Sequence, residues 1–421
     1  MPFCSLLREI THYNKMKSTN DKIKVLRIIA RLNIGGPAIH TILLTHYLNT
    51  DIQTRLVVGE VSEGEESMDY LLDQYDVRPV YINTLKRELS FIGDIRSVFS
   101  VYRIIREFKP DIVHTHTAKA GAIGRSAGIL YNLSHFGSRQ NRVRFVHSFH
   151  GHVFSGYFNR FTTFVFIMIE KVLAMFTDRI IAVSDALKKE LVYKYKIAPD
   201  KKIKVIYNGY DLEPFLKVNN AGSKATGRAG AGSVETVITT VGRLVPIKGH
   251  KYLIHAFSRL KISARLVIAG DGILKDELQA LSEKLGLSGR ISFQGYRKDI
   301  ISVYEQTGIF VLSSINEGAP VAVIEALACA KPVIATDVGG VQDLLGQKVS
   351  IISDTIYLCE RGILVPPADD ESIAAAINYL VNNPEIGYYT GMRGREFVKK
   401  KFTVNRLIKD MTRLYTEVLE R

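Results

Sequence analysis

Two carboxylates in the second half of the chain, Glu317 and Glu325, are separated by seven residues that resemble the start of a helix. Gly318 allows a ligand to approach the backbone, and Pro320 suits a first helical turn because its missing N–H costs nothing there. The free N–H groups of a helix start favour an anion. This spacing suits a site that grips the hydroxyls and phosphate of one nucleotide-sugar. The ordinary alternative is a βαβ unit with one helix-start glutamate and one solvated glutamate.

Two cations in the same half complement these carboxylates. Arg243 and Lys248 follow a predicted strand at residues 237–241. The planar guanidinium can bind two phosphate oxygens at once, and the lysine adds a compact positive charge. Taken alone, they are ordinary loop cations. Together with Glu317 and Glu325, they predict a phosphate-binding site.

The first half offers glycines and histidines at its predicted strand ends. Gly35 and Gly36 follow a strand at residues 24–30 and open a helix, which suits close approach to a phosphate. The histidines of the pairs 114/116 and 150/152 lie two apart, so an extended segment would place each pair on one side. They have no cysteine or carboxylate at ligand spacing, and the chain has no Asp-x-Asp. We therefore predict no metal site at these histidines.

These residues require strands that alternate with helices along the whole chain, and the sequence predicts that alternation twice. The fold class is α/β, with two doubly wound Rossmann-like domains facing an interdomain cleft. We expect an N-terminal extension at residues 1–22, a first domain at 23–216, a Gly-, Ser- and Ala-rich linker at 217–234 and a second domain at 235–401.

Composition and charge limit the class of protein. The 421 residues include three cysteines without metal or disulfide spacing, no apolar run long enough to span a bilayer and no visible signal peptide, so we expect a cytoplasmic protein. The net charge of +14 is uneven, because residues 1–210 carry 30 Lys and Arg against 19 Asp and Glu, whereas residues 211–421 carry 26 against 23. This asymmetry favours an anionic partner for the first half. A membrane surface fits better than nucleic acid, because no nucleic-acid motif accompanies the charge.

A segment at residues 157–176 has apolar residues almost all round a predicted helix. A helix of this kind is usually buried. Interfacial helices need a strongly polar face. We therefore predict a core helix in preference to one that touches a membrane.

The ordered set of motifs resembles family 4 of the retaining glycosyltransferases, which have the GT-B fold. The match runs from about residue 24 to the C-terminus. The motifs that carry it are Gly35-Gly36, residues 111–116, Phe149-His150-Gly151, residues 182–184, residues 207–211, Gly242-Arg243-Leu244 with Lys248-Gly249, residues 269–272, residues 293–296, the E-x7-E pair Glu317 and Glu325, residues 338–340 and residues 362–367. Two features depart from the family: residues 341–361 are longer than usual, and residues 1–22 have no counterpart.

The resemblance implies a role for each matched residue. Arg243 and Lys248 would neutralise the donor diphosphate, Glu317 would contact the donor sugar and Glu325 the ribose. The remaining donor-binding positions, which would act largely through backbone groups, are Gly36, Gly295, Tyr296, Arg297, Gly318, Ala319, Pro320 and Val321. His150 would lie at the reacting centre, so the implied catalytic residues are Glu317, His150, Arg243 and Lys248. A C-terminal helix at about residues 402–421 would return to the first domain.

These features predict a retaining glycosyltransferase that moves a sugar from a nucleotide-sugar, favoured as a UDP-sugar, to an acceptor. The expected acceptor is a lipid-linked saccharide in bacterial surface polysaccharide assembly. We expect the protein on the inner face of the cell membrane, with no cofactor, because two cations and two helix starts can carry the diphosphate without a metal. The alternatives are a nucleotide-sugar epimerase of the same fold and a non-catalytic protein that binds sugar or membrane.

Overall fold

The computed structural model of the chain describes residues 22–33, 35–48, 52–61, 67–86, 90–135, 142–151, 160–218 and 235–420. Residues 1–21 of the predicted extension and residues 219–234 of the predicted linker lie outside them. The chain divides into two compact units, which we call the first and second domains. The first comprises Met1–Tyr210 with Val404–Arg421, and the second comprises Asp211–Thr403.

The first domain is built on a parallel sheet of seven strands in the order β3-β2-β1-β4-β5-β6-β7. Its strands are β1 (Ile23–Ile29), β2 (Ile52–Gly59), β3 (Val80–Ile82), β4 (Ile112–His116), β5 (Arg144–Phe149), β6 (Arg179–Ala182) and β7 (Ile203–Val205). Its first helices are α1 (Gly36–Leu48), α2 (Asp69–Gln74), α3 (Phe91–Phe108), α4 (Ala118–Ser134), α5 (Arg160–Phe176) and α6 (Asp185–Lys189).

The second domain contains an eight-stranded sheet in the order β10-β9-β8-β11-β12-β15-β14-β13. Its strands are β8 (Thr236–Val241), β9 (Ala264–Ala269), β10 (Ile291–Gly295), β11 (Ile309–Leu312), β12 (Val333–Thr336), β13 (Lys348–Ser353), β14 (Ile356–Cys359) and β15 (Gly362–Val365). Its helices are α7 (Glu213–Leu216), α8 (His250–Ser258), α9 (Lys275–Lys284), α10 (Ile301–Gln306), α11 (Val321–Ala328), α12 (Val341–Leu345), α13 (Asp370–Asn382) and α14 (Pro384–Lys401).

Both sheets reverse their strand order beside the first strand of the domain. In the first domain, β1 lies between β2 and β4, and in the second, β8 lies between β9 and β11. Loops that leave such neighbouring strands in opposite directions open a crevice at the carboxyl ends of the strands, and α/β sheets bind ligands there. The predicted α/β fold with two Rossmann-like domains is confirmed.

The central strands are buried because parallel sheets are covered on both faces. All five residues of β4 and all four of β6, β11 and β12 are buried. The largest described cluster of the second domain packs aliphatic side chains of β8, β9, α8 and α13 together. The core thus holds the strand ends of each sheet in fixed positions.

The boundary between the domains differs from the one expected at residue 216. Residues 211–216 belong to the second domain, where the Phe215 ring lies edge-on to Tyr304, with centroids 5.8 Å apart. The C-terminal helix α15 (Val404–Leu419) belongs to the first domain. There Leu407, Met411 and Tyr415 pack in one core cluster with residues of β1, β4 and β6.

The long segment at residues 341–361 adds a hairpin to the edge of the second sheet. Strands β13 and β14 pair in antiparallel fashion, and β14 pairs in the same way with β15. β13 is mostly exposed, as an edge strand can be. The extra length therefore widens the sheet at the side away from β8.

The helix predicted to start at Pro320 begins one residue later, because Pro320 is the N-cap and Val321 the first helical residue. No side chain caps this end, so the first N–H groups of α11 have no partner within the helix. The other end closes at Ala330, which has a φ of +53°. The N–H groups of Ala330 and Lys331 donate to Leu327 and Ala326. This is a Schellman motif with alanine in the position that glycine usually takes.

The prediction of a core helix at residues 157–176 is wrong. The described helix α5 begins at Arg160, and one side of it is exposed to solvent. We call this side the α5 apolar face; it consists of Phe161, Phe164, Val165, Met168, Ile169, Val172, Met175 and Phe176. No helix among the described residues is long and apolar enough to cross a membrane.

Candidate functional site

Lys248 and Glu317 come together at the carboxyl edge of the second sheet, after the neighbouring strands β8 and β11. Lys248 Nζ lies 2.6 Å from Glu317 Oε1. The Ser314 hydroxyl donates to the same oxygen at 2.6 Å, and the Thr336 hydroxyl donates to the Ser314 carbonyl at 2.6 Å. The two charged side chains are 21% and 10% exposed, so they form a largely buried pair with a preset carboxylate orientation.

A tight loop sets the position of Lys248. After β8 the chain makes a short 3₁₀ turn at Pro246–Lys248, and Gly249 follows with a φ of +63°. A Cβ on Gly249 would lie 2.2 Å from the Ser313 carbonyl oxygen, so only glycine fits this approach. The Ser313 hydroxyl in turn donates to the Lys248 carbonyl at 3.2 Å.

Arg243 lies in the same loop and is partly exposed. Its guanidinium makes no hydrogen bond or ion pair with the residues that the structure describes. Its carbonyl accepts a hydrogen bond from His250 Nε2 at 3.1 Å, which places the proton of that imidazole on Nε2. Burial lowers the pKa of His250 to about 4, so a neutral histidine holds the Arg243 backbone.

Glu325 lies on α11 beyond the helix start and is partly buried. The Tyr304 hydroxyl, from α10, is 2.8 Å from Glu325 Oε2 and 3.0 Å from the Ala322 carbonyl oxygen. Burial raises the pKa of Glu325 to about 7, against the opposing effect of the Tyr304 hydrogen bond. Near neutral pH this carboxyl is therefore part acid and part carboxylate, and can donate or accept a hydrogen bond.

The backbone positions of the predicted donor site lie at two places on this edge. Gly318, Ala319, Pro320 and Val321 lead into α11, directly after the Lys248–Glu317 pair. The other group, Gly295 to Arg297, follows β10, which is two strands away from β8. Gly295 has a φ of +62°, and its carbonyl accepts from the Gly270 N–H at 2.8 Å.

The first domain brings three histidines together at its own carboxyl edge. His40 lies on α1, four residues after Gly36; His116 ends β4, and His150 follows β5. His116 Nδ1 and His150 Nε2 are 2.9 Å apart. The His40 ring lies edge-on to His150, with centroids 5.0 Å apart. These strand ends border the β1–β4 switch point, so the cluster lies where this sheet is expected to bind a ligand.

These three imidazoles are neutral at pH 7. Burial is the main cause that lowers the pKa of His40, His116 and His150, and it brings that of His150 to about 4. His150 Nδ1 is buried and has no hydrogen-bond partner among the described residues. It is therefore the atom of this histidine that can bind a hydroxyl.

His114 does not join the cluster through hydrogen bonds, although its ring lies close to that of His116, with centroids 4.1 Å apart and the planes tilted by 38°. The predicted same-side placement of this pair is confirmed. His114 Nδ1 contacts the Tyr415 hydroxyl at 2.7 Å, and Nε2 contacts the Ser148 hydroxyl at 2.8 Å. His114 thus ties α15 to the sheet. His152 lies outside the described residues.

His40, His116 and His150 offer ligand atoms within 4.8 Å of one another, and among the described residues they form the group that could hold a metal ion. Neutral imidazoles are good ligands for zinc. However, His116 and His150 already share a hydrogen bond, which a metal would have to replace. The absence of a metal therefore stays a prediction.

Several residues that shape these sites were not predicted from the sequence. His40 was missed because it lies on a helix far from the other histidines in the sequence, and Tyr304 because nothing in its segment suggests a partner. Ser314 and Thr336 had a weak signal, since each is a polar residue at the end of an apolar strand segment, just after β11 and at the last position of β12. A polar residue directly after a buried strand is the pattern that points to such positions.

Comparisons with known proteins find relatives for both domains. The family model described as "Glycosyltransferase Family 4" matches residues 34–214, and the one described as "Glycosyl transferases group 1" matches residues 228–397. An Escherichia coli UDP-Gal:alpha-D-GlcNAc-diphosphoundecaprenol alpha-1,3-galactosyltransferase is 31% identical over 77% of this chain and 82% of its own length. A Staphylococcus aureus capsular polysaccharide biosynthesis glycosyltransferase, CapM, is 27% identical over 85% of this chain and 89% of its own.

Solved structures support the fold. The Anabaena protein Alr3699/HepE, crystallised with UDP and glucose, superposes with a TM-score of 0.73 at 21% identity and covers 93% of this chain and 99% of its own. With the two family models and the Escherichia coli relative, the similarity extends through both domains. The chain therefore belongs to the glycosyltransferases, with the GT-B fold.

Proposed function

We propose that this glycosyltransferase moves a sugar from a UDP-sugar to a lipid-linked saccharide, keeps the anomeric configuration of the donor and needs no divalent ion. The observation that carries the proposal is the Lys248–Glu317 pair, 2.6 Å apart, beside the uncapped start of α11 at the β8–β11 switch point. It combines a cation, an oriented carboxylate and free N–H groups in the place where α/β sheets bind nucleotides.

The second domain supplies the groups that stabilise the leaving diphosphate. When the bond between the sugar and the diphosphate breaks, negative charge grows on the diphosphate. Lys248, Arg243 and the N–H groups at the start of α11 bind that charge. Glu317, held by Lys248 and Ser314, accepts a hydrogen bond from the donor sugar and stabilises positive charge on it. The acceptor hydroxyl forms the new bond, and its proton leaves on the departing diphosphate.

Other residues position the substrates. Glu325 binds the ribose hydroxyls, and its raised pKa lets the carboxyl donate as well as accept. Gly295, Tyr296 and Arg297 contact the base, and the N–H groups near Gly36 approach the diphosphate. His150 Nδ1, which is buried and neutral, binds a hydroxyl of the sugar that is transferred.

The lipid-linked acceptor is proposed from the names of the relatives and from the net positive charge of residues 1–210. The name of the Escherichia coli relative states a UDP-Gal donor and a diphosphoundecaprenol acceptor, and that of CapM states capsular polysaccharide biosynthesis. A lipid acceptor is presented at a membrane. The net charge of +11 on residues 1–210 suits the anionic inner face of the cell membrane, and we place the protein there as a peripheral enzyme of surface polysaccharide assembly.

A transfer assay tests the proposal. The purified chain is incubated with a panel of UDP-sugars and GDP-sugars, with and without a short-chain polyprenyl diphosphate saccharide, and the product is analysed by NMR. We expect one UDP-sugar to give an elongated acceptor with the donor's anomeric configuration. The same donor should raise the melting temperature of the protein, because it binds only the folded state.

Each alternative has its own result in this assay. An epimerised sugar released without acceptor would identify an epimerase. A donor that raises the melting temperature but is never consumed, with any acceptor, would favour a binding protein without catalysis. An inverted product would contradict the retaining mechanism.

A further inference from the structure

Helix α5 exposes apolar side chains to solvent and buries a charged one, which is the reverse of an ordinary surface helix. The eight residues of the α5 apolar face follow one another at spacings of three and one, so they form one continuous stripe along the helix. Phe161 at one end is 77% exposed and Met175 at the other is 68% exposed. The side that packs on the domain contains Glu170, which is buried. Monomeric proteins rarely leave a contiguous apolar patch in water, and such patches mark interaction sites.

A buried ion pair fixes the rotation of α5 about its axis. Arg125 Nη2, from α4, donates to both carboxylate oxygens of Glu170, at 2.9 and 2.7 Å. Arg125 Nε also donates to the Gly121 carbonyl. Turning the apolar face inward would separate this pair and leave a buried charge without a partner, which is strongly unfavourable. The apolar face is therefore held outward by the fold.

A cationic groove lies at the C-terminal end of the apolar face. It has a volume of about 770 Å³, and Lys171, Met175, Lys201 and Lys202 are among its lining residues. The ammonium groups of Lys171 and Lys201 have no hydrogen-bond or ion-pair partner among the described residues. Asp178 also lines the groove, but it is paired with Arg144 at 3.1 Å. The groove is thus positively charged next to the exposed apolar side chains.

Helix α3 repeats this combination, and α4 packs against both α3 and α5. Phe91, Ile92 and Phe99 of α3 are exposed. Two arginines of the same helix are also exposed: Arg96 lies between Ile92 and Phe99 in the sequence, and Arg103 follows Phe99. Apolar side chains among cations are the composition that binds anionic lipid surfaces, where each well-placed Lys or Arg contributes about 1 kcal/mol.

We infer that the α5 apolar face inserts into the headgroup region of an anionic membrane, with Lys171 and Lys201 on lipid phosphates. This inference deepens the membrane association in the proposed function by naming the element that makes it. A second copy of the chain could also cover an apolar face. It would bring the same unpaired cations with it, whereas anionic headgroups would neutralise them.

Vesicle flotation tests the inference with the full chain. The vesicles are phosphatidylcholine alone or phosphatidylcholine with about one third phosphatidylglycerol. We expect binding to the anionic vesicles and at least tenfold weaker binding by the double variant Phe164→Glu/Val172→Glu. The matched control is Val349→Glu/Ile351→Glu, which adds the same charge at exposed apolar positions of β13 in the second domain and should bind like wild type.

The lysines give a separate measurement. The variant Lys171→Gln/Lys201→Gln should bind anionic vesicles roughly tenfold or more weakly, at about 1 kcal/mol per cation, and should bind neutral vesicles like wild type. Equal, negligible binding of the wild type to both vesicles would overturn the inference. So would wild-type binding by the Phe164/Val172 variant, or a wild-type dimer in solution that this variant converts to monomer.

Failure of the inference can be told apart from failure of the proposed function. None of the substituted residues belongs to the proposed catalytic set, so transfer to a water-soluble acceptor analogue should be unchanged in every variant. A protein that binds vesicles through α5 but transfers no sugar would disprove the proposed function and leave the inference standing. A protein that transfers sugar but does not bind vesicles would disprove the inference and the membrane placement, and would leave the proposed transfer reaction standing.

Discussion

The carboxyl edge of the first sheet carries three neutral histidines, of which His40 and His116 are buried and His150 is partly buried. That of the second carries a lysine–glutamate pair, an arginine without a described partner and an uncapped helix start. The two sheets share the same plan, with strand order reversing beside the first strand. Their chemistry differs because the loops after the strands differ. Neutral donors and acceptors suit sugar hydroxyls, and fixed charges suit a diphosphate. The same fold can therefore place chemically different groups at equivalent edges of its two sheets.

The balance of buried ionisable groups, and with it the expected pH dependence of stability, also differs between the two domains. In the first domain, burial lowers the pKa values of His40, His114, His116, His147 and His150. In the second, burial lowers the pKa of His250 to about 4 but raises that of Glu325 to about 7. The histidines of the first domain stabilise the folded state more at neutral pH than in acid. In the second domain, Glu325 stabilises it more in acid than at neutral pH.

The largest expected effect is on the charged set of the second domain. Glu317→Gln, Lys248→Ala and Arg243→Ala should each lower kcat about a hundredfold or more, because each removes a fixed charge that stabilises the transition state. Arg259→Ala breaks a surface ion pair with Asp370 and serves as the control, with turnover close to wild type. Steady-state kinetics with circular dichroism to verify folding measure this; near-normal turnover of Glu317→Gln would refute its role.

A smaller effect on turnover is expected at the carboxyl edge of the first sheet. His150→Ala should lower turnover about ten- to thirtyfold, since it removes one hydrogen bond to the sugar and no charge. His46→Ala, at an exposed position on α1, is the control. If His150→Ala costs as much as Lys248→Ala, the contrast between the two edges is wrong, and His150 takes part in the chemistry more directly.

The pH dependence should separate the domains. A histidine whose pKa falls from 6.5 to about 4 on folding, as for His150, contributes full stability above pH 6.5 and loses it as the pH falls toward 4. At pH 5.5 each such group should raise the unfolding equilibrium constant roughly tenfold. Glu170 offsets this loss of stability only in part. Burial raises its pKa, but in the described part of the first domain it is a single carboxyl against five histidines.

In the second domain the linkage of Glu325 has the opposite sign. Its contribution is complete below pH 4.5 and is lost as the pH rises through about 7, so it offsets His250 on acidification. Hydrogen exchange at pH 7.5 and 5.5, corrected for intrinsic rates, should show protection falling about tenfold or more in β4 and β5, with little change in β8 and β11. Equal loss in both sheets would contradict the assignment.

The smallest expected effect is that of metal removal. If the cations of the second domain carry the diphosphate, excess EDTA should change turnover less than about twofold, and added manganese or zinc should not raise it. Loss of activity in EDTA with rescue by manganese would overturn the metal-independent mechanism. Rescue by zinc alone would instead assign a metal to His40, His116 and His150.

The sequence by itself determined the repeated α/β pattern, because buried parallel strands need continuous apolar runs and the helices between them have their own period. It also singled out Glu317, Lys248 and Arg243 at the carboxyl edge of one sheet and His150 at that of the other, since α/β sheets bind ligands at the carboxyl ends of their strands. The functional roles of these four residues stay predictions. Their ion pair and hydrogen bonds were not predictable. Lys248 reaches Glu317 only because Gly249 lets its loop approach Ser313.

Only the tertiary structure decided what surrounds those residues and which way α5 faces. His40, His116 and His150 come from three separate elements, and only strand order brings them together. The apolar composition of α5 predicted burial, because apolar surface normally leaves water. The Arg125–Glu170 pair reverses that outcome. A long-range partner for one buried charge fixes the rotation of the whole helix, and that partner lies 45 residues away in the sequence.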